Sequence, residues 1–301
     1  MAPDVVAAVL TRWVSLAALV ALVGSLVLAA IVFPPDTPES LRRSLARWSR
    51  SVAAILLVAS GGELVLRART MSGGDLSTAL AAVPTVLAHT HFGTIWIVRA
   101  VALGTLMLSA GRRGRLASGA TLCLALAVAL STSLMGHAAD QGDLSVAVFN
   151  DWLHVSAAAA WIGGIFCLAV LVLPGWPRDR LEVLVRRFSM LAGWCLAAVV
   201  ASGIYNSWTE IGSLGALWTT PYGEILGAKI ALVLAVVALG AANRYTVVPR
   251  LAADTRAAGA RLSTYVAWEA ALGLLVLGCT ALLTESPPPR HRAHDAATAS
   301  R

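Results

Sequence analysis

The chain has 301 residues, 58% hydrophobic and only 13% charged, which is too little charge to cover a water-soluble surface and excludes a soluble globular domain. Its formal net charge of +7 invites a nucleic-acid partner, but the basic residues are spaced in a way that excludes one, as shown below. The apolar residues fall in runs that match the roughly 20 residues needed to cross hydrocarbon as helix. No period-two alternation of a barrel recurs.

The expected fold is therefore all-α: a polytopic integral membrane helix bundle with about eight transmembrane helices, occupying residues 1–285. In chain order the predicted spans are 5–33, closed by Pro34-Pro35, then 51–66, 92–110, 116–135, 152–173, 188–207, 224–243 and 262–284. Gly61, Gly62 and Glu63 interrupt the second. The first apolar stretch is too long for the core of a signal peptide, and Asp4 and a single Arg flank it, so no cleavage is expected. Residues 286–301, which include the run Pro287-Pro288-Pro289 near their start, read as a polar, disordered tail carrying His291 and His294. Cys123, Cys167, Cys195 and Cys279 all fall inside spans, which offers no loop disulfide framework.

Charge predicts orientation. Fifteen arginines lie in the odd-numbered connections: Arg42, Arg43, Arg47 and Arg50; Arg112, Arg113 and Arg115; Arg178, Arg180, Arg186 and Arg187; Arg244, Arg250, Arg256 and Arg261. The even-numbered connections hold Arg67 and Arg69. Basic loops stay cytoplasmic, so both termini are expected outside. This is the signature of membrane topology, not of a nucleic-acid surface.

The even, outer connections are acidic, with Asp75, Asp140, Asp143, Asp151 and Glu210, and they also gather four histidines. His89 and His91 precede the third span, His137 ends the fourth, and His154 starts the fifth. Imidazoles beside carboxylates on one membrane face make a candidate metal-capture surface. His137 and His154 lead, because a short connection joins their helices and places them at similar depth near the interface. His89 and His91 can share a face only in extended chain, which Pro84 favours. Met135 adds a thioether, and imidazole with thioether suits copper better than magnesium or calcium. Cys123, Cys167 and Cys195 lie toward the inner ends of their spans and form a possible inner relay for Cu(I), although buried cysteine more often serves as a small apolar residue. Unpaired charge is expensive inside a span, so Glu63 and Arg99 are expected to pair, with Arg244 and Glu269 a second pair; Lys229 is a further structural charge.

Several segments together are recognisable. Leu153-His154-Val155-Ser156 followed by Ala157–Ala160 and Trp161-Ile162-Gly163-Gly164 resembles the His…Trp-x-Gly-Gly helix of the copper resistance protein D (CopD) family. Arg187-Phe188-Ser189, Ser202-Gly203-Ile204-Tyr205-Asn206, Thr220-Pro221-Tyr222-Gly223 with Lys229, Asn243-Arg244-Tyr245 with Pro249, and Glu269 follow in the family's order. Thr90, Phe92-Gly93, Trp96 and Arg99 resemble its earlier element. The resemblance covers about 85–289; the first 80 residues match no motif of it. It implies copper transport or resistance at the bacterial cytoplasmic (inner) membrane, with copper as cargo, the lipid bilayer as surroundings and a separate periplasmic copper-binding protein of the CopC type as possible partner. Gly163 and Gly164 read as a close helix contact, and Trp161 as packing or as a wall beside His154. Two other functions stay open: a redox protein clamping a b-type haem between facing imidazoles, and a copper-delivery factor that does not transport. No nucleophile–base pair or phosphate loop suggests an enzyme.

Overall fold

The apolar runs fold into ten helices among the described residues of the computed structural model, which are 3–112, 114–177, 180–211, 213–251 and 255–286. Eight are long and apolar enough to cross a membrane. These are α1 (Pro3–Val27), α2 (Glu39–Ser72), α4 (His91–Ser109), α5 (Arg115–Leu134), α6 (Val146–Cys167), α7 (Leu181–Ile211), α9 (Pro221–Ala242) and α10 (Thr255–Thr284). Two are short: α3 (Leu76–His89), and α8 (Ala216–Thr219). The eight-span expectation agrees with this architecture. His291, His294 and the proline run lie outside the described residues.

The core is organised around α1, which packs against α2, α5, α6 and α10. Of its best apolar window 72% is buried, against 11% for α9, so α1 is the hub and α9 faces lipid. The contact with α6 is backbone to backbone. A Cβ on Gly24 would lie 2.1 Å from the carbonyl carbon of Gly163, and one on Gly163 only 1.9 Å from the carbonyl oxygen of Val20. Gly164 meets α7 instead, where the Phe188 ring fills the space a Cβ would need. The glycine pair thus serves two neighbours, as small residues do between membrane helices. Trp161 is 6% exposed and packs in the core. Both α1 and α6 end in a π turn, Leu28–Val32 and Leu168–Val172, just before a proline-containing break.

The second span is longer and more regular than predicted. Gly61 and Gly62 do not interrupt α2, because the helix is held by its neighbours; a Cβ on Gly62 would lie 3.1 Å from the methyl of Thr11 on α1. It ends at Gly73, whose φ of 64° supplies the left-handed cap. Pro84 likewise does not extend the chain: α3 runs through it to His89. Thr90 then caps α4, its hydroxyl accepting from the Gly93 N–H at 2.9 Å.

The structure replaces both expected ion pairs. Glu63 pairs with Arg12 of α1 at 3.3 Å. Arg99, 2% exposed, lies within the fields of Glu63 and Arg12, yet its Nε and Nη1 find no hydrogen-bond partner. Pairing consecutive helices overlooked α1, which brings Arg12 to the same depth. At the other end Glu269 accepts from Asn243 Nδ2. Arg244 donates instead to the Ser189 carbonyl at 3.2 Å and its hydroxyl at 3.0 Å.

Candidate metal centre

α6 starts at Val146 on a Ser145 cap, so His154 lies eight residues in, about 12 Å along the axis. His137, by contrast, opens the turn His137–Gln141 in the connection between α5 and α6. The predicted span began too late, because Phe149, Asn150 and Asp151 belong to the helix.

The hydrogen bonds around His154 set its chemistry. Its Nδ1 is 3.0 Å from Ser202 Oγ on α7. Ser202 has one hydroxyl proton, which it gives to the Ala198 carbonyl one turn back. With that bond made, Ser202 is placed to accept from His154, an arrangement that suits the tautomer with the proton on Nδ1 and the lone pair on Nε2. That is the tautomer of a metal-ligating histidine, with the second nitrogen fixed by an outer partner. Gly203 makes room for the ring; a Cβ there would lie 3.2 Å from His154 Cε1.

One turn above, Asn150 Nδ2 donates to the Ser202 carbonyl at 3.1 Å and to Asn206 Oδ1 at 2.7 Å. Asn206 Nδ2 donates to Asp151 Oδ1 at 3.3 Å. Lys229 of α9 lies within electrostatic reach of both His154 and Asp151. This network staples α6 to α7 and, with the Ser202 contact, fixes the ring. Sequence reasoning quoted Ser202 and Asn206 without giving them a role. The available signal was polar residues four apart on each helix, Asn150/His154 facing Ser202/Asn206.

The remaining predicted ligands spread over the rim. His89 ends α3 and His91 starts α4, both exposed. His91 Nε2 lies 3.3 Å from Asp143 Oδ1, so the α4 start meets the α5–α6 connection that contains His137. Met135 caps α5 and is half-buried. The His137 side chain lies outside the described residues. Among the rim carboxylates Asp75 caps α3; the Thr78 N–H, with the Ser77 and Thr78 hydroxyls, holds its pKa near about 2. Of the cysteines, Cys123 is exposed, Cys195 is buried, and buried Cys167 donates to the Ala21 carbonyl at 3.5 Å. Among the described residues no three His, Cys, Asp or Glu side chains converge on one ion.

Comparison with known proteins identifies a family. The family model described as copper resistance protein D matches residues 182–283, and that of the copper resistance protein D-like N-terminal domain matches residues 1–147. The second covers the first 80 residues, where sequence reading found no motif; His154 itself lies between the two matched stretches. The copper transport protein CutJ of Bacillus subtilis (strain 168) is 29% identical over 239 residues, 75% of this chain, and the chain spans only 43% of its length. The inner membrane protein YebZ of Escherichia coli (strain K12) is 27% identical over 261 residues, 83% of this chain and 89% of that protein. The copper resistance protein D of Pseudomonas syringae pv. tomato is 31% identical over 257 residues, 79% of this chain and 82% of that protein. No solved structure matches. With both halves of the chain matched and that last relative covered over most of its length, the chain belongs to the copper resistance protein D family.

Proposed function

We propose that this protein carries copper across the bacterial cytoplasmic membrane, capturing the ion on an external face that bears both termini. The observation that carries this reading is the 3.0 Å contact of His154 Nδ1 with Ser202 Oγ, whose hydroxyl also meets the Ala198 carbonyl; it favours the tautomer that offers an Nε2 lone pair to a metal. His137, Met135 and His91, with His89 behind them, form the rim from which the ion reaches His154. Asp140, Asp143 and Asp151 draw cations toward it. A periplasmic CopC-type protein is the natural donor to such a rim, and the protein moves the ion without catalysing a reaction.

The test is copper stoichiometry and affinity in purified protein, followed by copper flux in proteoliposomes. His154→Ala abolishes the deep site, and His137→Ala is the next most damaging change. Ser202→Ala weakens binding about 10- to 100-fold, as loss of an outer partner does at metal sites. Parent-like binding and flux in His154→Ala would refute the assignment. Copper binding without flux would make the protein a delivery factor, and a Soret band in the purified protein would mark a haem protein instead.

A further inference from the structure

The polar chemistry of the outer half occurs twice. Besides the His154 network there is the Arg12–Glu63–Arg99 cluster, whose Arg12 Nε, Arg99 Nε and Arg99 Nη1 are buried without a hydrogen-bond partner. Arg12, Arg99, His154 and Lys229 each lie eight or nine residues into their helices, about 12–14 Å deep.

The sequences around these residues correspond. One gapless register places Trp13, Gly24 and Pro35 of the first span on Trp152, Gly163 and Pro174 of the fifth. In that register Thr11, Arg12 and Ser15 fall on Asn150, Asp151 and His154. Val58-Ala59-Ser60-Gly61 of α2 repeats as Val200-Ala201-Ser202-Gly203 of α7. Thr90-His91-Phe92-Gly93 of α4 corresponds to Thr220-Pro221-Tyr222-Gly223 of α9, which places Arg99 on Lys229.

The geometry repeats with the sequence. Thr90 accepts from Gly93 N at 2.9 Å, and Thr220 from Gly223 N at 3.1 Å. A Cβ on Gly93 would meet the Val86 carbonyl oxygen at 2.2 Å, and one on Gly223 the Ala216 carbonyl oxygen at 2.3 Å. Trp13 Nε1 donates to Leu274 O of α10 at 3.0 Å, and Trp152 Nε1 to Leu126 O of α5 at 2.9 Å. Exchanging α1 with α6 and α5 with α10 converts one bond into the other. Gly24 and Gly163, equivalent by sequence, touch each other where the two halves meet.

We infer that the chain is two copies of one four-span unit, and that the Arg12–Glu63–Arg99 cluster is a closed counterpart of the His154 site, with the Arg99 guanidinium as its resident cation. Four spans per copy keep both the same way up, as in parallel transporter repeats. The copies differ where function requires. α2 packs against α4 in the first, whereas α7 and α9 make no comparable contact, so the second site is open on that side. Ser60 is retained beneath the closed site as Ser202 is beneath the open one, and the Ser60 hydroxyl has no hydrogen-bond partner. Ser60 thus keeps the position of Ser202 with no imidazole upon it. The ligand class of the shared position is a soft metal cation held by imidazole. That assignment rests on the copper reading; the duplication does not.

The experiment reopens the first site in the full chain. In a His154→Ala background, Arg12→Asp, Ser15→His and Arg99→Lys together install the second copy's residues. Copper titration of this folded variant regains an equivalent of copper that the His154→Ala chain has lost. A folded variant that binds no more copper than His154→Ala overturns the counterpart. A separate measurement does not depend on copper: cysteine pairs at Trp13/Leu274 and at Trp152/Leu126 cross-link to the same extent. Cross-linking of one pair without the other overturns the duplication. Equal cross-linking with no copper bound even by the parent refutes the transport reading and leaves the repeat standing.

Discussion

Replacing Gly163 by alanine puts a methyl group 1.9 Å from Val20 O, 2.7 Å from Val20 C and 3.1 Å from the Gly24 Cα. All three are backbone atoms of α1, so no rotamer change relieves the overlap. Ordinary contact begins near 3.4 Å, and α1 must retreat from α6 by about 1.5 Å. A gap of 0.5–1 Å already forfeits about a quarter to a half of each contact's attraction, and in a bilayer that packing is the principal force between helices. Overpacking commonly costs about 1–3 kcal/mol, and a clash with backbone at the hub belongs at or above the top of that range. Two controls calibrate it. Gly164→Ala meets the edge of the Phe188 ring at 2.3 Å, a side chain that can turn, and costs less. Gly61→Ala meets nothing within 4 Å and gains up to about 1 kcal/mol of helix propensity. Denaturant titration of the three variants in mixed micelles reads the order directly. A Gly163→Ala protein as stable as the Gly61→Ala protein would refute the claim that α1 and α6 meet through their backbones.

Other expectations follow from the same geometry. Glu63→Gln strips Arg12 and Arg99 of their shared counter-charge and should cost up to about 3 kcal/mol, the lower end of the usual penalty for breaking a buried pair from one side, since Arg12 and Glu63 are part-buried. A double-mutant cycle should couple Glu63 to Arg12 more strongly than to Arg99, and the reverse order would restore the pairing expected from sequence. Asp75 has a lowered folded pKa, so its contribution is fully present above its ordinary value of 3.8 and is lost as pH falls through about 2. Amide exchange in the first turn of α3 should rise across that window, and in Asp75→Asn the rise should vanish. Cys195→Ala should slow copper flux without weakening binding at the rim, whereas Cys123→Ala should transport like the parent; equal fluxes in both would end the relay idea.

The span count was legible because lipid imposes it: apolar runs of sufficient length have no soluble alternative. Helix ends were less so. Residues such as Phe149, Asn150 and Asp151 look like loop by composition yet form the first turns of α6, and this hid the depth of His154. The ion pairs failed for a different reason. Consecutive antiparallel helices are the natural first guess, but the hub helix α1 supplies Arg12 from far away in sequence. Ser202 shows what pattern alone could not deliver. Its place in the apolar helix was visible, but its use as the acceptor for His154 depends on the side chain already donating to Ala198.

The path below His154 is narrowed by the same stripe logic. From Ala157 to Ile165 the buried face of α6 is aliphatic, tryptophan and glycine, so on the proposed path this helix offers copper no next ligand before Cys167. Cys167, moreover, points at α1, where it donates to Ala21 O. On that proposed path the next soft atom comes from α7. Phe188, which packs on Gly164, and Ser202, which holds His154, both face α6, and they are fourteen residues apart. Cys195 lies midway between them, and residues seven apart share a helix face. Its buried thiol therefore sits on the α6 side of α7, about 10 Å deeper than Ser202 by helix rise. Cys123, exposed on α5, lies off this line. Of the three cysteines legible as a relay, Cys195 is the one whose helix face continues the seam that begins at His154.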